Sequence, residues 1–224
     1  MSFGVERCWS SASLTRGLLR CGAAAGPLFV AVFLVEGARR PDYSPLRHPV
    51  SALSLGPHGW VQVANFAVTG TLCLAGAAGL SRTPDPVVGT RLGAASIGAT
   101  AVGLLGSAVF ATDPVSGYPP GTPDVLTGQS TSMTMHGIAA VPIFLGLPAV
   151  VFAYAWRFLR AGRPAWALYS AGSGASMLAG MGLAGAGFNQ SPRLVNRAGL
   201  FQRVSIITGF GWITAVSAKA FCPR

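Results

Sequence analysis

Six stretches of this chain are apolar for about twenty residues each, the length an α-helix needs to cross a bilayer. Charge is nearly confined to the segments between them. Only 10% of the 224 residues are charged and 51% are hydrophobic, against roughly 25% charged in a soluble domain. A chain this poor in charge cannot clothe a soluble surface of its size. Its 30 glycines and 16 prolines follow no period, which excludes collagen, and glycine is common in membrane helices.

The expected architecture is therefore all-α: a polytopic membrane protein, a six-transmembrane-helix bundle. The spans are placed at 17–37, 60–80, 92–112, 137–156, 165–187 and 198–220. Together they make a membrane domain over 17–220, between tails at 1–16 and 221–224. Arginines precede the first span as in a signal peptide. Its apolar run ends in VEGARR without an A-x-A cleavage pattern, so it reads as a retained helix.

Arginine placement sets the orientation. The tails and the second and fourth loops carry Arg7, Arg16, Arg20, Arg82, Arg91, Arg157, Arg160, Arg163, Lys219 and Arg224. The other three loops carry Arg39, Arg40, Arg47, Arg193 and Arg197. Ten against five places both termini in the cytoplasm and the protein in the cell membrane as a multi-pass chain. The formal charge of +10 is spread between apolar runs rather than gathered in a stripe. That excludes nucleic acid as the partner and favours anionic membrane lipid.

The polar residues gather at one end by simple alternation of the spans. Glu36 ends the first span and Asp113 the third. His48 and His58 lie in the first loop, His136 opens span four, and Asn189 follows span five. Gln62, Asn65, Thr69 and Cys73 recur at helical spacing in span two; Gln202, Ser205 and Gly209 do so in span six. Such stripes avoid lipid and face the bundle interior, where they line a cavity or bond neighbouring helices. Arg203 lies about one turn inside span six, where a charge costs roughly 2.5–3.5 kcal/mol unless it is near the interface. It is expected to pair with Glu36 or Asp113, the acids at span ends on that side, or to snorkel outward.

RHPVSALSLGPHGW, from Arg47 to Trp60, links the first two spans. Pro49 suits a helix start and Gly56 a helix end, predicting a short interfacial helix in the first outer loop, then a Gly-Pro turn. His48, Ser51 and Ser54 would then cap the polar cluster as a lid. In span five, Gly172, Ser176, Gly180 and Ala184 recur every four residues. That small face serves helix packing, or a homo-oligomer contact. Pro142 and Pro148 predict a kink in span four.

No metal is expected. The three histidines lack a cysteine or carboxylate at ligand spacing, and the four cysteines form no CxxC. No cofactor is predicted either: His48 and His136 are the one pair that could hold haem, and a second pair is missing. G-x-S-x-G, HExxH and P-loop motifs are absent.

HPVSALSLGPHGWVQVANF, FATDP, the His136-Gly137 start of span four and GLFQRVSIITGFGW give the chain a family likeness. It resembles the multi-span membrane family of unknown function numbered 998. The resemblance implies an integral membrane bundle and no particular activity. It also implies a shared set of polar positions at His48, Ser51, Ser54, Asn65, Asp113, His136, Gln202 and Arg203.

Three functions fit these residues. One is a membrane enzyme on a lipid or isoprenoid, with Asp113, His136 and Glu36 as acid–base groups. His48, Ser51, Ser54, Asn65, Gln202 and Arg203 would hold a lipid-like or anionic substrate. The second is an assembly protein whose polar cluster only stabilises the bundle. The third, a proton-coupled transporter using Asp113, lacks the internal repeat common in such folds.

Overall fold

The computed structural model describes residues 3–125 and 127–221, with side chains from Ala12 onward. All named elements among these are helical. The helices are α1 (Phe3–Arg39), α2 (Gly59–Leu80), α3 (Arg91–Val109), α4 (Thr131–Val141), α5 (Leu147–Arg160), α6 (Pro164–Phe188) and α7 (Ala198–Phe221). A π-helical segment, Pro142–Gly146, joins α4 to α5, and 3-10 turns lie at Val50–Ser54 and Val195–Arg197. Met1, Ser2 and 222–224, the ends of the expected tails, lie outside the described residues, as do Cys222 and the side chains of Arg7 and Cys8.

Five helices are long and apolar enough to cross a membrane: Ala12–Arg39, Gly59–Leu80, Arg91–Val109, Thr131–Arg160 and Val195–Phe221. They make the chain a multi-pass membrane bundle by length and composition. α6 has the length, 25 residues, but its glycines and serines dilute its hydropathy. It nonetheless packs along both α5 and α7.

Two helix starts differ from expectation. Residues 3–16, expected as a tail, extend α1, because no glycine or proline stands between Val5 and Arg16 to stop the helix. The fourth helix begins at Thr131, not near Gly137. Ser130 caps it by accepting from Met133 N–H at 3.0 Å. The helix departs from regular α geometry at Pro142, one of the two prolines where a kink is expected. Pro142 has no N–H, its carbonyl accepts from Leu147 N–H, and the ladder widens to a π turn.

α1 packs along α2 and α7, and α2 along α3. The core runs through this group: Phe29, Phe33, Leu53, Ile97, Phe210 and Trp212 are among its fully buried side chains. Both predicted polar stripes face inward. Gln62, Asn65, Thr69 and Cys73 are buried on α2, and Gln202, Ser205 and Gly209 on α7. The small-residue face of α6 is divided. Gly180 and Ala184 are buried, Gly180 against Phe201 and Ser205 of α7, whereas Gly172 is exposed.

Candidate functional site

The loop from Arg40 to His58 is fastened to α7 by its backbone. Tyr43, His48 and the 3-10 turn are buried rather than laid on a surface. Pro49 precedes the turn in an extended conformation, and Gly56 follows it at φ +76°, a region open to glycine. Val50, Ala52 and Leu53 are buried. Val50 N–H donates to Gln202 Oε1 at 2.8 Å, and Leu200 N–H to the Leu46 carbonyl at 3.0 Å.

Arg203 is 5% exposed and meets no carboxylate among the described residues. Its Nη1 donates to the carbonyls of His48 and Gly199, each at 3.0 Å, and its Nη2 to the Tyr43 hydroxyl. Its guanidinium also lies over the rings of Phe33 (5.8 Å) and Tyr43 (5.6 Å). The expected pairing with Glu36 or Asp113 is therefore corrected. Glu36 pairs with Arg40 one turn on, at 3.5 Å. Asp113 braces the start of α4, accepting from Ser130 N–H at 2.8 Å and Ser130 Oγ at 2.6 Å. Carbonyl oxygens and aromatic faces disperse the arginine charge instead.

His48 joins this cluster through its carbonyl but turns its ring away. The imidazole packs beside Tyr43 (5.5 Å) and Tyr118 (5.1 Å), and Nδ1 accepts from Ser44 N–H at 3.0 Å. Burial pushes its pKa below the ordinary value and Arg47 adds to this; a hydrogen bond with the Ser116 backbone opposes it. Arg203 and Asp124 act on it from other elements, in opposite senses. Folded His48 thus holds a proton less well than unfolded His48. The stability it contributes is full above the unfolded pKa of about 6.5 and is lost as pH falls through the lowered folded value. Acidification from about pH 7 to pH 5 is expected to lower the melting temperature, and His48→Asn to remove part of that loss. An unchanged slope in the variant would clear His48 of the effect.

Three of the candidate residues converge on a cavity: Ser51, His136 and Gln202 line both of its lobes. The inner lobe is small, about 40 Å³, and lies among Phe29, Phe66, Leu104, Ile143 and Phe210. The outer lobe, about 390 Å³, runs between α4 with the π segment and α6. Ala140 and Phe144 belong to both lobes. Exposed Ile138, Val141 and Leu145 flank the mouth on the α4 side. The π turn keeps α4 off α6 here, while below it α5 and α6 pack closely.

The polar atoms offered to this space follow from their other bonds. His136 Nδ1 lies 2.8 Å from the Phe110 carbonyl, which can only accept. Nδ1 therefore carries the proton, and Nε2 is left as an acceptor. Gln202 commits its oxygen to Val50 N–H, leaving its NH₂ to donate. Ser51 adds a hydroxyl. No charged side chain lines either lobe.

The remaining candidates lie away from the two lobes and make bonds within the bundle. Asn65 Nδ2 donates to the Phe29 carbonyl (3.2 Å) and Gln62 Oε1 (3.3 Å), tying α2 to α1. Ser54 Oγ donates back to the Ser51 carbonyl at 2.7 Å. Neither they nor Glu36 and Asp113 line the two lobes. Among the described residues no three His, Cys, Asp or Glu side chains come together as a metal site. Tyr43 and Ser107 escaped sequence reasoning. Tyr43 is a lone tyrosine in a loop, and Ser107, which lines the inner lobe, spends its hydroxyl on the Gly103 carbonyl.

A family model described as "Protein of unknown function (DUF998)" matches residues 23–219. No curated protein and no solved structure gives a significant match.

Proposed function

The chain belongs to the DUF998 family of proteins of unknown function, and from that premise we propose that it binds a neutral, hydroxyl-bearing lipid. The molecule enters sideways from the bilayer between α4 and α6. Its head sits at Ser51, His136 and Gln202, and its apolar body lies in the outer lobe. The observation that carries this reading is the cavity beside exposed apolar residues: mostly apolar, without a charged side chain among the described residues, and with Ser51, His136 and Gln202 shared by both lobes.

The head chemistry follows from what the site lacks. A charged headgroup would be buried without a counter-ion, which is costly. A hydroxyl can donate to His136 Nε2 and accept from the Gln202 NH₂. The outer lobe, about 390 Å³, is of ordinary size for a small-ligand site, whereas the inner lobe, about 40 Å³, admits little more than a water or a chain end. Acid–base chemistry by carboxylates draws no support from Asp113 or Glu36, since both are committed elsewhere.

The reading includes six spans, with the unit α4–π segment–α5 as the fourth and α6 as the fifth. Both termini are cytoplasmic, so the cavity lies near the outer face of the cell membrane. The Val50–Ser54 turn is then the short interfacial helix, working as a plug over the inner lobe.

The test compares wild type with Ala140→Phe and His136→Leu, each extracted into native-lipid particles and analysed by mass spectrometry of bound lipid. Wild type is expected to retain a neutral hydroxyl-bearing species. Ala140→Phe should lose it by occupying the space both lobes share, and His136→Leu by removing the acceptor. The latter should also lower the melting temperature because the Phe110 carbonyl loses its donor, so lipid is compared well below the midpoint of each protein. Equal lipid complements in all three proteins would end this reading.

A further inference from the structure

The opposite end of the bundle holds a second groove, unrelated to the cavity. It is lined by Val87, Trp156, Arg157, Arg160 and Ala161, and encloses about 680 Å³ including its open side. Its walls are the last turn of α5 and the loop after α2. We infer that this groove binds the phosphate of an anionic phospholipid headgroup.

Two fixed cations face it without an anion of their own. Arg157 donates from Nη2 to the Pro86 carbonyl, which holds its guanidinium across to the loop. Arg160 stands over the ring of Trp156 at 5.8 Å. The acid beside them, Asp85, is already satisfied. It pairs with Arg163 at 3.0 Å and accepts from Val87 N–H (2.8 Å) and Val88 N–H (3.2 Å). Burial acts to raise the Asp85 pKa, but these hydrogen bonds outweigh it and hold the carboxyl below its ordinary value. Asp85 therefore stays ionised and bound to Arg163, and does not neutralise Arg157 or Arg160. Neither of those two arginines has a carboxylate partner among the described residues.

The carbonyls at the end of α5 carry partial negative charge, which opposes an anion there. Two full positive charges on the same turn exceed it. The apolar surroundings then select the source of the phosphate. Trp156 is 60% exposed, and Leu159, three residues on along α5, is exposed as well. An exposed tryptophan beside arginines at a helix end is the arrangement that sits at headgroup depth in a bilayer. A free phosphate would use the arginines alone, whereas a phospholipid also covers Trp156 and Leu159 with its chains.

The test is lipid titration of the full-length protein, delipidated in detergent and followed by native mass spectrometry. Phosphatidylglycerol and phosphatidylcholine of matched chains are the probes. Wild type should take up the first phosphatidylglycerol roughly tenfold more tightly, since each arginine near the phosphate contributes on the order of 1 kcal/mol. R157Q/R160Q should erase that preference. R82Q/R91Q removes equal charge from the same side outside the groove and should keep it. Equal loss in both pairs would mean diffuse attraction and overturn the site, as would a preference retained in R157Q/R160Q. Displacement of the lipid by inorganic phosphate would overturn the phospholipid as its ligand.

Discussion

Gly76→Leu is expected to unfold the bundle or cost it more than about 3 kcal/mol, beyond the usual range for an overpacked core. α1 and α2 cross at backbone contact. A Cβ on Gly76 would stand 2.6 Å from Gly22 Cα, and one on Gly22 would stand 2.9 Å from Gly76 Cα. The obstacle is main chain, which cannot turn aside as a side chain would. The neighbouring contacts leave no relief: a Cβ at Gly79 would meet Leu19 N at 2.9 Å, and Gly26 lies against the Phe210 carbonyl of α7. In a bilayer, helix association rests on such close packing rather than on expelling water. Parting α1 from α2 would also break the Asn65 bond to the Phe29 carbonyl. Gly182→Leu is the control, because nothing lies within 4 Å of a Cβ there. Denaturant unfolding in lipid–detergent micelles should show a large shift for Gly76→Leu and a negligible one for Gly182→Leu. A Gly76→Leu midpoint at the wild-type value would mean that α1 and α2 do not depend on this crossing.

The helices were legible wherever apolar length decided them. α2, α6 and α7 begin and end within a residue or two of expectation because tryptophan, proline and polar loops bracket them. The inward stripes on α2 and α7 were legible too, since lipid leaves polar side chains one direction to face. Residue-to-residue partnership was not. Glu36 and Asp113 are on the correct side for Arg203, but each has a nearer claim: Arg40, at the i,i+4 spacing that a helix displays, on Glu36, and Ser130, hidden across a loop, on Asp113. Nor does a sequence display backbone carbonyls, and these are what bind Arg203. The early start of α4 was hidden for the same reason. Ser130 acts as a cap only once Asp113 and the chain's fold hold it at the helix start. The cavity rests on the π turn, for which Pro142 gave a kink but not the widened ladder.

Arg203→Ala is the second change expected to be severe, on the order of 3 kcal/mol or more, because hydrogen bonds from a charged group contribute roughly 1.5–3 kcal/mol each. The guanidinium joins α7 to the loop after α1 through His48 and Tyr43. Its removal leaves the buried His48 carbonyl with only the long bond from the Tyr43 hydroxyl (3.4 Å), and leaves a space beside Phe33 and Tyr43. Tyr43→Phe should cost less. It deletes the acceptor for Nη2 and the bond from the hydroxyl to the Pro49 carbonyl (3.0 Å), but keeps the ring under the cation. The double variant should be milder than the sum of the two, since both single changes break the same contact. The effect should also reach the cavity. Once the loop is released from Arg203, two bonds still hold it to α7, Val50 N–H to Gln202 and Leu200 N–H to the Leu46 carbonyl, so Ser51 gains freedom to move from the lobes it lines. Arg203→Ala should therefore lose bound lipid at temperatures where the bundle is still folded, which Gly182→Leu should not do. Additive single changes, with lipid retained until the bundle melts, would mean that the loop is held by its apolar residues and that Arg203 is incidental to it.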